Sequence, residues 1–408
     1  MQKSLLFIAA LFAILPSRAA VDAWTALPSP SGSEIVSVLG RHPTNASIRY
    51  VAAQGGLFVS VDAGQNWTRR IDGIVPTPAG YYGVTDLTIT GANLYITPYF
   101  LQKSGDNGTT WQRTGWQTEN PQALFLASTP ADPNTVYAGS NRGIYKSSDA
   151  GATWRWLHGS LPVYAVAVDP NNPNTVFRSV ETGIFRSLDG GLNWSQVSST
   201  LTSVKRIVVD PNNGMTVYVG TNASGVYKSV DGGSTFSAIN SCLPNRCVPP
   251  NLNTAWVNSI IVEQGKPAVV YLGATEGLYK STDGGANWSQ ANMGALGITT
   301  MMLDPLNPDT LIAAWGNKLY SYTFATEVAS DWERLFNWAQ ATYPQYFYPP
   351  CANCTQSIEG LRARYYAGTA NYVWTIGNEV YVYGAAFGGL LRVGLLSEFM
   401  PAVIAAGF

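Results

Sequence analysis

An eight-residue pattern, Ser-x-Asp-x-Gly-x-Asn-Trp with Thr for Asn in three copies and Phe for Trp in one, is written six times along this chain of 408 residues and dictates its plan. The copies run Ser60 to Trp67, Ser104 to Trp111, Ser147 to Trp154, Ser187 to Trp194, Ser229 to Phe236 and Ser281 to Trp288. Their aspartates (Asp62, Asp106, Asp149, Asp189, Asp231, Asp283) lie 44, 43, 40, 42 and 52 residues apart, the length of a four-stranded propeller blade. An alternating apolar run such as Gly277-Leu278-Tyr279-Lys280 precedes each copy, and a shorter one such as Trp288-Ser289-Gln290 follows. Each copy therefore reads as a hairpin turn between two strands. The aspartate can accept bonds from N–H groups of its own turn, the glycine adopts a backbone that a Cβ would forbid, and the aromatic packs between sheets. These aspartates read as structural, since the oxygen-rich spacing of a calcium loop is missing.

One full unit shows the internal order. Val163 to Val168 is a first strand, Asp169 to Pro173 a turn, Thr175 to Arg178 a second strand, Gly183 to Arg186 a third and Trp194 to Val197 a fourth. Proline lacks a donor and belongs in that turn, not in the ladder. The seventh unit, from Ile298 to about Phe324, has neither the motif nor a fourth strand. Ala23-Trp24-Thr25-Ala26-Leu27 is similar to the fourth strands Asn193 to Val197 and Asn287 to Gln290. It is expected to pair with the seventh unit and close the ring, protecting both edges. The expected fold is all-β, a seven-bladed β-propeller over 20–325, with a leader at 1–19 and a small α+β module at 326–408. In that module a capping box at Ser330 to Glu333 opens a helix. Arg362 to Ala367, Tyr372 to Ile376 and Val380 to Tyr383 read as strands, with a turn at Gly377-Asn378 and a closing helix from Leu395 to Ala406.

The six copies resemble the Asp-box, or BNR, repeat of bacterial sialidases, xyloglucanase-type glycoside hydrolases, sortilin-type receptors and photosystem II assembly factors. The resemblance covers about residues 24 to 325. It implies a β-propeller with the boxes on the bottom rim and ligands on the opposite, top face. Sialidases also carry an Arg-Ile-Pro motif; the nearest match here is Arg70-Ile71-Asp72. Xyloglucanase-type enzymes set a cleft between two propellers, and this chain has one.

Formal net charge is -1 with 12% charged residues, so no basic surplus exists to neutralise phosphates and nucleic acid is not an expected partner. Met1 to Ala19 reads as a cleaved Sec signal peptide: Lys3, an apolar run from Leu5 to Leu15, and Ser17-Arg18-Ala19. That run is too short to span a bilayer, so the mature chain is expected secreted or periplasmic with no transmembrane anchor. In an exported protein Cys242, Cys247, Cys351 and Cys354 are expected to pair. Three connectivities exist, of which Cys242–Cys247 with Cys351–Cys354 is the simplest. No cofactor or metal site is expected, because His42 and His158 are the only histidines and fall in an interstrand turn and a blade-to-blade loop.

Function is expected on the top face. The long loops Ile71 to Gly83 and Asn240 to Ala255 belong there, with Tyr81, Tyr82, Tyr99, Phe100, Trp116, Trp256 and Trp315. Aligning first strands places Arg206 level with Ser259 and Thr300, and Asp86 level with Arg206 three blades away, facing across the channel. Lys205 and Asn258 fall one position earlier. Asp86, Lys205, Arg206 and Asn258 would floor a pocket walled by Tyr81, Tyr82, Glu181 and Glu276, with Trp116 in the ligand face. The expected role is binding an extracytoplasmic protein, peptide or glycan. The alternatives are a sialidase-like or xyloglucanase-like hydrolase, or an assembly factor resembling the photosystem II type.

Overall fold

The computed structural model describes residues 23–30, 34–116, 122–242, 251–291, 297–324, 371–376, 379–384 and 389–395. The leader, the capping box at 330–333, the 362–367 segment, Gly377-Asn378 and Cys247, Cys351 and Cys354 lie outside them. The chain divides into two units, Met1–Phe324 and Ala325–Phe408. The first is a seven-bladed β-propeller built from seven four-stranded antiparallel sheets. Blade five is representative: Val204–Val209 is innermost, then Val217–Thr221, Val226–Ser229 and Ser237–Ala238. Blade seven is composite. Thr300–Asp304, Asn307–Trp315 and Lys318–Thr323 are completed by Ala23–Leu27, paired in the register Leu27↔Leu319 through Ala23↔Thr323.

The second unit is described only as an antiparallel sheet of Asn371–Ile376, Glu379–Gly384 and Gly389–Leu395. Two of its strands fall where the pattern predicts them. The third takes up residues 389–395, so Leu395 ends a strand where the sequence suggests a helix start.

The six motif turns share one hydrogen-bond set. The serine Oγ donates to the aspartate Oδ1 and accepts the N–H of the second glycine, as in Ser147–Asp149 at 2.8 Å and Gly151–Ser147 at 2.8 Å. The aspartate Oδ1 accepts the N–H four residues on, and Oδ2 takes that residue's side chain: Thr153 in this copy, Asn193 in the next. Only Asn, Thr or a similar short donor reaches back this way, which explains the motif's seventh position. These bonds pull the carboxyls of Asp62, Asp106, Asp149 and Asp189 down to about 2; the backbone donor of Asn66 or Asn193 leads in the first and last, the Thr110 or Thr153 hydroxyl in the other two. A carboxyl lowered on folding stabilises the native state above its unfolded pKa, about 3.9. That stability is lost as pH falls from about 4 to about 2. Asp149→Asn is expected to make this acid limb shallower in urea titrations across that range; an unaltered limb would contradict the assignment.

Two successive residues in each turn adopt positive φ. The second is always glycine, as at Gly151 (φ 85°), but the first is Ala63 (59°), Asn107 (59°) and Ala150 (55°) in the first three copies and glycine in the rest. A Cβ in the left-handed region is strained. Ala150→Gly is therefore expected to stabilise the propeller by about 0.5–1 kcal/mol after the larger backbone entropy of glycine is deducted. Denaturant midpoints with an unchanged m-value would show it.

Each blade locks onto the next. The box turn bonds the start of the second strand of its own blade, as Gly190 N to Asn174 O at 2.9 Å, which sets both on the bottom rim. Its carbonyl accepts from the preceding blade: Gly190 O from Tyr137 Oη (3.1 Å) and Lys146 Nζ (3.3 Å), and Gly284 O from Tyr218 Oη (3.1 Å) and Lys228 Nζ (2.8 Å). Apolar cores fill the seams. Tyr50, Leu57 and Val59 of blade one, for example, pack with Leu87, Leu94, Ile96 and Trp111 of blade two. The motif aromatics lie in these seams, Trp288 fully enclosed.

Two local readings change. Pro173 lies within the long second strand Asn172–Val180, not in a separate turn. Pairing shifts between Val168 and Asp169, so this proline sits in the irregularity where a missing donor does no harm. His158 ends the fourth strand Arg155–His158 of blade three and is not in a loop. Its Nδ1 lies 2.6 Å from an Nη of Arg178, which is 2% exposed and stacks over Phe185 and Trp194. Burial and the adjacent guanidinium hold the His158 pKa down. Arg178 occupies a register filled by Val51, Ile96, Ala138, Val219 and Leu272 in other blades.

Candidate polar site at the channel mouth

The top of the propeller is where each chain segment enters an innermost strand and where second strands turn into third ones. Entry segments bond the preceding blade there, as Val84 N to Ala53 O (3.0 Å) and Ile298 N to Ala274 O (2.8 Å). Registers can be counted from the box serine. Ser229 pairs with Val217, and three residues on Gly220 faces Arg206. Ser104 pairs with Leu94, and three residues on Thr97 bonds Asp86: Thr97 N to Asp86 O at 3.2 Å and Asp86 N to Thr97 Oγ1 at 2.9 Å. Arg206 on its innermost strand and Asp86 at the entry to Leu87–Thr90 thus hold equivalent registers.

Lys205 and Asn258 are brought to the same place by a shared irregularity. Pairing skips Lys205 between Val204↔Thr221 and Arg206↔Gly220, and skips Asn258 between Val257↔Ala274 and Ser259↔Gly273. Each is the additional residue of a β-bulge, which re-aims side chains. In blade five the usual alternation breaks: Val204 and Ile207 are buried, and Lys205 and Arg206 between them are both only half-buried. Lys205 Nζ then donates to Asn258 Oδ1 (2.7 Å), Arg206 Nε to Asn258 O (2.9 Å), and Asn258 Nδ2 to Ile298 O (2.8 Å). These bonds staple blades five, six and seven at the inner rim.

Across the channel, Asp86 staples blade two to blade three. Its Oδ2 accepts from Leu126 N (2.7 Å) and its Oδ1 from Leu87 N (2.9 Å). Asp86 lies deep in the molecule yet retains surface, which fits a residue lining a lumen. Burial raises its pKa, opposed by the charge of Arg206. Burial and then Arg206 depress that of Lys205. The ion pairs among the described residues are Arg49–Asp304, Lys266–Glu263 and Lys266–Asp309, so the charge of Arg206 acts on Asp86 without a bond between them.

The remaining expected site residues do not join this cluster by any described contact. Tyr81 is 68% exposed on its loop. Tyr82 packs on the seam between blades one and two under the Arg69 guanidinium, 5.4 Å from its ring centre. Glu181 is exposed in the second-to-third-strand turn of blade four. The Glu276 charge acts on Tyr279 of the third strand, and its Oε2 is enclosed without a hydrogen bond among the described residues. Trp116 is buried between Trp154 (5.2 Å) and Tyr145 (4.9 Å) in the seam of blades two and three, so it serves packing. Tyr99, Trp256 and Trp315 are exposed at the top, and two more join them, Ile35 and Tyr164. The sequence hides Tyr164 by seeming to place it inside a strand, whereas that strand starts at Ala165. Among the described residues no group of acidic, histidine or cysteine side chains is placed to hold a metal ion, and no helix is long and apolar enough to cross a membrane.

No family model matches the chain. A xyloglucanase of Hypocrea jecorina (strain QM6a) is 25% identical over an alignment of 169 residues that covers 35% of this chain and 20% of that protein. The structure is similar to that of the GH74 xyloglucanase from Xanthomonas campestris, with a TM-score of 0.60 and 17% identity over 75% of this chain and 54% of that one. It is also similar to YCF48 bound to D1 peptide, with a TM-score of 0.55 and 14% identity over 74% of this chain and 96% of that one. This chain thus spans about half the length of the bacterial xyloglucanase and a fifth of the fungal one. At these identities the structural likenesses establish the seven-bladed fold.

Proposed function

We propose that this protein is an exported Asp-box propeller that binds a glycan across its top face. The observation carrying this reading is the distribution of exposed rings. Tyr81, Tyr99, Tyr164, Trp256 and Trp315, all between 39% and 68% exposed, stand on the top face around the polar mouth, while one further exposed ring, Trp156, lies on the outer strand of blade three. On the bottom rim the exposed apolar groups are instead aliphatic: Val61, Leu188, Leu192, Met215, Val230 and Leu306. A pyranose presents one apolar C–H face that stacks on a π face, while its hydroxyls need polar partners such as those at the mouth. The likeness to xyloglucanases supports a sugar ligand. Export is supported by the leader pattern of Met1 to Ala19 and by four cysteines expected to pair, since disulfides persist in oxidising compartments.

Binding is favoured over hydrolysis because two carboxylates flanking a glycosidic bond would each raise the other's pKa. Arg206 is the charged group acting on Asp86, and both Asp86 oxygens are taken by backbone donors. A peptide-binding assembly role is the second reading, favoured by the near-complete coverage of YCF48. A glycan array probed with the full chain separates these readings. Trp256→Ala and Trp315→Ala are each expected to weaken the glycan hit roughly tenfold, about 1.4 kcal/mol. Unchanged affinity in both variants would remove the aromatic rim from the site, and release of reducing ends would make the protein a hydrolase.

A further inference from the structure

The channel mouth carries cationic donors that the protein itself leaves unused. Arg206 commits Nε to Asn258 O, and its two terminal nitrogens have no partner among the described residues. Lys205 commits one donor to Asn258 Oδ1 and has two left. The carboxylate at this level does not take them up: the Asp86 oxygens accept from Leu126 N and Leu87 N, and Asp86 forms no ion pair among the described residues. No other blade contributes charge: the equivalent positions hold Val38, Phe125, Ala165, Ser259 and Thr300. Two adjacent half-buried cations therefore face one committed anion across the lumen. They also repel each other, as the effect of Arg206 on Lys205 shows, and a bound anion would relieve that repulsion.

We propose that Lys205 and Arg206 form an anion subsite that holds the carboxylate of an acidic sugar, a hexuronate unit of the glycan lying on the aromatic rim. This rests on the glycan reading above. The free edge of the Arg206 guanidinium matches a planar carboxylate with two parallel N–H···O bonds. The flexible Lys205 ammonium adds a point charge beside it. Asn258 holds both cations through one side-chain and one backbone acceptor, so the subsite is set before ligand arrives.

The test is calorimetric titration of the full chain with tri-galacturonate and with its fully methyl-esterified form, which keeps the sugar rings and removes the charge. The free acid is expected to bind at least about tenfold tighter at low salt, and the advantage should shrink as sodium chloride rises. Lys205→Gln, which can still bond Asn258, and Arg206→Met should each weaken the acid more than the ester and so shrink the acid's advantage severalfold. Acid and ester binding equally would overturn the anion subsite and leave the glycan reading standing. Neither form binding, with a peptide bearing a free C-terminal carboxylate binding instead, would overturn both. The wild-type comparison decides the matter even if a variant fails to fold.

Discussion

Deleting Ala23–Leu27 is expected to lower the melting temperature by about 10 °C or more. This segment is the fourth strand of blade seven, paired over five residues with Lys318–Thr323. Trp24 lies 4.8 Å from the Tyr322 ring and edge-on to Tyr320 at 6.3 Å, and Leu27 packs on the seam of blades seven and one. Both side chains are half-buried, so losing their contacts removes about 2–3 kcal/mol, before the ladder is counted. In a domain of this size each kcal/mol moves the melting temperature by about 2–4 °C. The deletion also bares the Lys318–Thr323 edge, which invites pairing between molecules. Calorimetric melts together with light scattering should show an earlier transition and association of the truncated chain. A melt matching that of the intact protein would mean that the ring does not depend on its composite blade.

Much of this was legible in the sequence because one motif repeats with the ladder attached to it. The units keep a fixed distance from the turn proline to the second-strand aromatic, so aligning them sets Asp86 level with Arg206, and Lys205 and Asn258 one position earlier. The closing strand was legible because Ala23 to Leu27 keeps the Trp pattern of a fourth strand. Register, however, says how far along a strand a residue lies and nothing about what the next blade presents to it. Trp116 therefore looked like a ligand contact and proves to be a seam ring against Trp154. Arg178 went unremarked, although a charge at a register otherwise apolar was a signal that could have been read. Its hold on His158 depends on how the fourth strand of blade three leans over blade four. The bulges that turn Lys205 and Arg206 to one side have no signature in single-residue propensity either. They arise where an innermost strand must bend away from its neighbour at the top of the barrel-like channel.

Asp304→Ala is expected to destabilise the propeller by about 3–5 kcal/mol, more than Arg49→Met does. The two side chains meet at 2.6 Å between residues 255 apart in sequence, tying the second strand of blade one to the end of the innermost strand of blade seven. The chain itself passes from blade seven to blade one only through its borrowed outer strand, so this bridge is what ties the inner strands of the two blades across the closing seam. The partners are unequal. Arg49 is 4% exposed and its Nε already has no hydrogen bond among the described residues, so removing Asp304 strands a charge in the seam. Asp304 keeps 15% side-chain exposure and also accepts Leu306 N at 3.0 Å, so removing Arg49 leaves a carboxylate that water and backbone can still solvate. The double variant Arg49→Met, Asp304→Ala should recover much of the loss, because the pair's desolvation disappears with its attraction. Equilibrium urea unfolding of the four proteins gives the coupling. Single variants that each lose under about 1 kcal/mol would place the pair with ordinary surface bridges and leave closure to the apolar seam and the borrowed strand alone.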